Sequence, residues 1–263
     1  MEGFVNTFLE VRGLGKRFGG LEAVSGLEFN VNRGEILGLI GPNGAGKSTV
    51  FCMLAGSLIP TEGTIVFRGK NITKLPSHGR AARGISRVFQ GNILFRNLTA
   101  TKNVQIGLHL RTGIGLFGFV FGTPAARRKE ELLRDRAREI LRLCGFTDEM
   151  MNSIANSLPH GQQRLLSLAI ALANQPELLL LDEPVTGMNA EEVCSMLAII
   201  RMLREKAGVT CIIIDHNMKA IMELCDRIIT LSNGKKIAEG TPEEIASNPA
   251  VIEAYLGKDE NAA

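Results

Sequence analysis

The sequence predicts an α/β fold, a parallel β-sheet covered by helices with a helical lobe inserted into it. Three observations predict it. Apolar strand-like runs alternate with helical stretches along most of the 263 residues. One run, Glu35–Ile40, is nearly all apolar, as a strand buried on both faces should be, and it opens into a glycine-rich loop. From Gly91 to Leu158 pure strand runs vanish and helical patterns replace them.

Phe8–Val11 and Leu27–Val31 alternate with period two and read as short strands, with a turn at Gly19-Gly20 between them. Glu35–Ile40 follows as the buried strand, then a helix over Val50–Leu58 and a strand over Gly63–Arg68. Thr99–Leu110 and Ala125–Cys144 read as helices of the lobe, the second with Arg and Glu interspersed as on a solvated face. Strand signals return at Glu177–Asp182 and Thr210–Asp215, with a helix over Ala190–Ala207 between them. One domain is expected, its core built from 1–90 and 159–263 and its helical subdomain from about 91–158, with Lys258–Ala263 frayed.

Composition excludes some classes of function. Lys plus Arg is 30 and Asp plus Glu 27, leaving a net charge of +3 with no dense basic block, and there is no Trp and one Tyr for stacking on bases, so nucleic acid is not an expected partner. The five cysteines, Cys52, Cys144, Cys194, Cys211 and Cys225, are widely spaced and form no Cys-x-x-Cys pair, which reads as reduced, mostly buried thiols. Met1-Glu2-Gly3 leads straight into mixed sequence, so no signal peptide is expected. The apolar stretch Gly113–Gly122 is far short of the ~20 residues that span a bilayer. Membrane association is therefore expected only through a partner.

The loop Gly41-Pro42-Asn43-Gly44-Ala45-Gly46-Lys47-Ser48-Thr49 is a complete P-loop pattern, preceded by a buried strand and followed by a helix. Its glycines let successive backbone N–H groups turn inward as a nest for phosphate oxygens, and the helix start adds its positive end. Lys47 is expected to reach the outer phosphates and Ser48 to help hold Mg²⁺. The competing reading, a glycine-rich turn with no ligand, does not account for eight positions matching in the right context.

The apolar run Leu178–Leu181 ends in Asp182-Glu183. A carboxylate at the C-terminal edge of a parallel sheet lies in the ligand crevice. Asp182 fits the role of holding Mg²⁺ through water, and Glu183 that of polarising an attacking water. Two solvated acids ending a strand would be the plainer reading without the P-loop. His216 follows the strand Ile212–Ile214, of the kind that lies beside the P-loop strand, and is expected to face the γ-phosphate. His78 and His109 have no such setting and read as surface residues.

With these residues in view, the chain resembles the ABC ATPase family over nearly its whole length. Gln90 in Arg87-Val88-Phe89-Gln90 is placed like the family's Q-loop. Leu158-Pro159-His160-Gly161-Gln162-Gln163-Arg164 lies where the family keeps its signature, His216 matches the H-loop, and Phe18 falls where the family stacks an aromatic on adenine. The resemblance implies a P-loop NTPase (RecA-like) core with a parallel sheet, a small antiparallel β subdomain and an inserted helical subdomain. It implies ATP and Mg²⁺ as ligands, with Ser48, Gln90 and Asp182 at the metal. It further implies a head-to-tail dimer, with a paralogue or a second copy, in which nucleotide at Lys47 of one subunit is covered by Gly161 and Gln162 of the other. Transmembrane permease subunits would anchor the pair peripherally on the cytoplasmic face of the inner membrane.

Departures from the family pattern are Pro159 and His160, where Ser and Gly are usual, and Asn189 and Asn217, where Asp is frequent. Pro159 supplies neither a hydroxyl nor an N–H, so the trans contact would rest on backbone beyond His160. A finer resemblance is to the branched-chain amino-acid importer ATPases. It is carried by Asn189 in Thr186-Gly187-Met188-Asn189, by the long segment Arg111–Lys129 with Thr123-Pro124, and by the ending Asn248–Gly257. The insertion is similar to that of the longer of two paralogues and suggests a paralogous partner. Its apolar stretch around Phe117 and Phe119 is expected near the permease's coupling element, or else packed within the lobe. Alternatives are the same engine for another cargo (urea or a lipid), a non-transport ABC protein acting on DNA or ribosomes, and a nucleotide-binding regulator. One P-loop and no heptad run argue against the second, and Glu183 against the third.

Overall fold

Every second residue of the central strands goes to a different hydrophobic core. Leu178 and Leu180 pack on one face of a sheet, Leu179 and Leu181 on the other, and the same split divides Leu37 and Leu39 from Ile36 and Ile40. This period-two division of wholly buried strands is what a parallel sheet covered on both faces requires. The computed structural model describes residues 7–88, 94–112 and 124–256.

The chain begins with a four-stranded antiparallel sheet. Strands β1 (Thr7–Phe18) and β2 (Leu21–Asn32) pair across the Gly19-Gly20 turn and run longer than their alternating cores suggest. After β3 (Ile36–Ile40) and helix α1 (Lys47–Ala55) come β4 (Glu62–Phe67), which pairs with β1, and the short β5 (Lys70–Asn71). The sheet order is β2-β1-β4-β5. Helix α1 starts three residues before Val50, inside the glycine-loop motif, because the motif's backbone already curls into a helical turn.

The second sheet holds the buried strands. Helix α2 (Ser77–Ala81) leads to β6 (Ile85–Val88), and β7 (Leu178–Asp182), β8 (Thr210–Ile214), β9 (Arg227–Ser232) and β10 (Lys235–Gly240) complete the order β10-β9-β3-β8-β7-β6. All neighbours are parallel except β10 on β9. Strand β8 thus lies between β3 and β7, so the segments after Ile40, Asp182 and Ile214 leave the same edge of the sheet side by side.

Between β6 and β7 the elements among the described residues are helical: α3 (Ala100–Thr112), α4 (Pro124–Leu143), α5 (Asp148–Asn152), a 3-10 turn at Ala155–Ser157, and α6 (His160–Ala173). Helix α4 has Pro124 as its first residue and buries Leu133, Ala137, Ile140 and Leu141 along one stripe. Helix α6 packs on α3 and α4 but also on β6, so it ties the lobe to the sheet. Residues 113–123, which include the apolar stretch with Phe117 and Phe119, lie outside the described residues. Helices α7 (Ala190–Ala207), α8 (Met218–Leu224), α9 (Pro242–Ala246) and α10 (Pro249–Leu256) close the fold. Among the described residues no helix is long and apolar enough to cross a membrane. Of the cysteines, Cys144, Cys211 and Cys225 are buried, Cys52 is half-buried and Cys194 is exposed.

One charged side chain is spent on holding α1 in place. Arg80 is 1% exposed and donates to the carbonyls of Met53, Leu54, Ile72, Thr73 and Leu75. Burial lowers its pKa to about 10, so it stays a cation at neutral pH. Its fork closes the C-terminal turn of α1, whose carbonyls have no intrahelical donors. Arg80→Ala removes these hydrogen bonds, leaving Met53 with only the Gly56 N–H and Ile72 with the Leu75 N–H, and opens a cavity. It is expected to cost about 3 kcal/mol, measured by urea unfolding.

Candidate functional site

The glycine loop is built by backbone conformations that side chains resist. Gly41 has φ 145° and Gly46 φ 99°, and a Cβ at either would overlap a carbonyl, that of Leu231 or of Ala23. These contacts press the loop against β9 and β2. Gly46 is the N-cap of α1, so no side chain caps the helix, and no acid stands in its first turn. The orphan N–H groups and positive end of α1 are thus left to an external anion. Asn43, Gly44 and Ser48 are exposed, Pro42 and Thr49 half-buried, and Ala45 is buried beneath the loop.

Lys47 is 7% exposed, and its Nζ donates to the carbonyls of Gly41 at 2.7 Å and Pro42 at 2.9 Å. Burial holds the ammonium below its usual pKa, and the Glu183 carboxylate acts in the opposite direction. The ammonium is therefore anchored at the loop and within the field of the acid across from it.

Three acids end the neighbouring strands. Asp182 closes β7 in register with Ile214 of β8. Its Oδ2 accepts from Arg87 Nη2 at 2.5 Å, with Asp182 buried and Arg87 half-buried. Glu183 has φ 51°, a left-handed conformation costing about 1 kcal/mol for a non-glycine residue. It is held there by its N–H on the Ile214 carbonyl at 2.8 Å. Its Oε1 lies 3.2 Å from His216 Nε2, and its Oε2 accepts from the Thr186 hydroxyl at 3.2 Å. Asp215 is buried and accepts the N–H groups of Val185 and Asn217, tying the loops after β7 and β8 together. Burial raises its pKa against the pull of those hydrogen bonds. The structure thus brings Lys47, Asp182, Glu183 and His216 to one edge of the sheet, where an acid beside a histidine can take a proton from water.

The remaining expected site residues fall as follows. Phe18 is 48% exposed at the end of β1, with Lys16 Nζ 5.3 Å from its ring centre. Gln90 lies outside the described residues. Gly161 and Gln162 are in the first turn of α6, whose N-cap Pro159 makes no side-chain cap. The Glu192 carboxylate fills the space that a Cβ on Gly161 would take, and the His160 ring lies over Gly187, so the signature turn packs on the start of α7. The two asparagines that depart from the family pattern are helix caps: Asn189 forms a capping box with Glu192, and Asn217 accepts from Ala220 N–H. Asn and Asp cap about equally well, which explains the exchange.

Four functional neighbours escaped the sequence reading. Arg87 is a charge inside an apolar strand, and Asp215 is an acid at a strand end, signals of the kind that drew attention to Asp182. Arg164 is buried in α6, its pKa lowered by burial while Glu183, Asp215 and Asp182 act to raise it. Tyr255, on α10, accepts the Gly41 N–H on its hydroxyl at 2.8 Å. As the sole Tyr of the chain it carried no pattern that would have exposed it.

Among the described residues no group of three or more His, Cys, Asp or Glu side chains could hold a metal alone. The oxygen donors here, Ser48 and Asp182, suit a hard cation that keeps waters and shares phosphate oxygens, as Mg²⁺ does.

A family model described as "ABC transporter" matches residues 24–186, and one described as "Branched-chain amino acid ATP-binding cassette transporter" matches residues 235–261. The high-affinity branched-chain amino acid transport ATP-binding protein BraF of Pseudomonas aeruginosa is 42% identical over 250 residues, 95% of this chain and 98% of that protein. The crystal structure of a nucleotide-free ATP-binding cassette from an ABC transporter is similar at a TM-score of 0.84 and 28% identity, covering 96% of this chain and 100% of that one. The dimeric post-hydrolysis state of an ATP-binding cassette bound to ADP and Pi is similar at a TM-score of 0.76 and 26% identity, covering 89% and 98%.

The Tyr255 contact has a measurable consequence. Tyr255→Phe removes the acceptor from the Gly41 N–H and is expected to weaken the loop by about 1 kcal/mol. Calorimetric titration with ADP should show about a fivefold loss of affinity.

Proposed function

We propose, from the premise that this chain belongs to the ABC transporter family of ATP-binding cassettes, that it powers the import of branched-chain amino acids by ATP-driven closure of a cassette pair. The observation that carries the reading is the uncapped start of α1 facing the ends of β7 and β8, where Asp182, Glu183 and His216 converge. The likeness to BraF over 95% of the chain, with the second family match at residues 235–261, supports the cargo.

The chemistry is phosphoryl transfer to water. Gly41, Pro42, Asn43, Gly44, Ala45 and Gly46 supply the backbone nest, Lys47 reaches the outer phosphates, and Ser48 and Thr49 begin the helix that points at them. Phe18 stacks on the adenine. Mg²⁺, when bound, neutralises charge on the β- and γ-phosphates, and Ser48, Gln90 and Asp182 would hold it. Glu183 orients and deprotonates the attacking water, and His216, 3.2 Å from it, steadies the γ-phosphate end. The left-handed backbone of Glu183 and the Asp215 contacts beneath it keep that acid aimed before the nucleotide arrives.

The site is completed by a partner subunit, a paralogue or a second copy, in head-to-tail contact. Gly161 and Gln162 of one subunit cover the nucleotide held by Lys47 of the other, with the N–H groups of α6 taking the place of the missing signature hydroxyl. The dimeric ADP-bound cassette of similar fold supports this arrangement. Permease subunits hold the pair peripherally on the cytoplasmic face of the inner membrane. A cleft of about 960 Å³ between the β4–β5 edge, α2, β6 and α6 offers them a seat, lined by Arg68, His78, Arg83, Arg87, Gly107 and Asn174. The lobe at about 91–158 moves against the core formed by 1–90 and 159–263, and Gln90 immediately precedes the lobe in the sequence.

Glu183→Gln tests the central assignment. The variant should keep ATP affinity within about twofold, lose turnover by roughly 10²–10⁴-fold, and accumulate as dimer in ATP on size exclusion. Hydrolysis at the wild-type rate would refute Glu183 as the group that activates water.

A further inference from the structure

Arg87 touches two places at once. Its guanidinium lies against the metal-side carboxylate, with Nη2 on Asp182 Oδ2 at 2.5 Å and Nη1 on Cys52 Sγ at 3.4 Å. The same residue lines the cleft on the flank of β6. Its side chain is 12% exposed and that of Asp182 is 8% exposed, so the pair is screened little by water.

One buried carboxylate facing two cations cannot satisfy both fully. The guanidinium takes negative charge from Asp182 that a divalent cation would use. It also places a positive charge within a few ångströms of where that cation would sit, and their repulsion in a poorly screened site is substantial. Removing the guanidinium should therefore strengthen, not weaken, the hold on the metal.

Resting on the reading of Asp182 as a metal-holding residue, we propose that Arg87 is a positioning residue that competes with the divalent cation for Asp182. Metal arriving at Asp182 loosens Arg87, and loss of the guanidinium tightens the metal. Linkage makes these two effects equal in size.

The test is Mn²⁺ binding to the full-length protein saturated with ADP, followed by electron paramagnetic resonance of the free ion. Arg87→Met should tighten Mn²⁺ by about tenfold, while Arg87→Lys, which keeps the charge, should stay within about threefold of wild type. Arg87→Gln, neutral but still a donor to Asp182, should follow Arg87→Met and replaces it if the methionine variant does not fold. Unchanged or weaker Mn²⁺ binding in a folded neutral variant overturns the proposal. Asp182→Asn separates the two ideas. If it leaves Mn²⁺ affinity intact, the assignment of Asp182 fails. If it lowers affinity while the neutral Arg87 variants do not raise it, only the competition fails.

Discussion

The structure depends on a helix whose first turn is left uncapped at the edge of a buried parallel sheet. Gly46 cannot cap α1 with a side chain, and the loop before it is pressed against the Leu231 and Ala23 carbonyls, so the orphan amides are fixed in space and kept away from internal partners. Water alone solvates them poorly compared with an anion placed on the helix axis. Much of the surrounding architecture serves to hold that geometry. Arg80 clamps the far end of the helix, Val50, Phe51 and Leu54 bury its inner face, and Tyr255 reaches back from α10 to the first glycine of the loop.

Charge organises the other side of the site. Asp182, Glu183 and Asp215 end adjacent strands, an arrangement that would repel itself if each acid were not committed. Asp182 is paired with Arg87, Glu183 is held by His216 and Thr186, and Asp215 takes two backbone amides. The last sits at the junction of two loops, where burial raises its pKa against the pull of those amides. Cations answer from three directions: Lys47 from the loop, Arg87 from β6 and Arg164 from α6. Each stands on a different element, α1, β6 and α6, so the charge at the strand ends is balanced from three parts of the fold.

The alternation of strands and helices, the buried strands at β3, β7 and β8, and the loop with its lysine were legible because each is a local pattern with one physical reading. The pair Asp182-Glu183 and His216 were legible because an acid or a histidine at the end of an apolar run lands on one edge of a parallel sheet. Strand β6 was not legible, since Ser86 and Arg87 break its apolar run, and that same Arg87 proves to be the partner of Asp182. Helix α6 joins lobe to sheet by packing on α3, α4 and β6 at once, contacts that no local pattern announces.

The sequence by itself determined that this protein carries a P-loop behind a buried strand and two acids at the end of another apolar run, because those features are short stretches whose chemistry is set by neighbours in the chain. Only the tertiary structure decided which distant residues complete them. Tyr255 meets Gly41 across 214 positions and Arg87 meets Asp182 across 95. Such pairings follow from strand order and from helices folded back over the sheet, and a single side chain carries no local signal of the partner that the fold will bring to it.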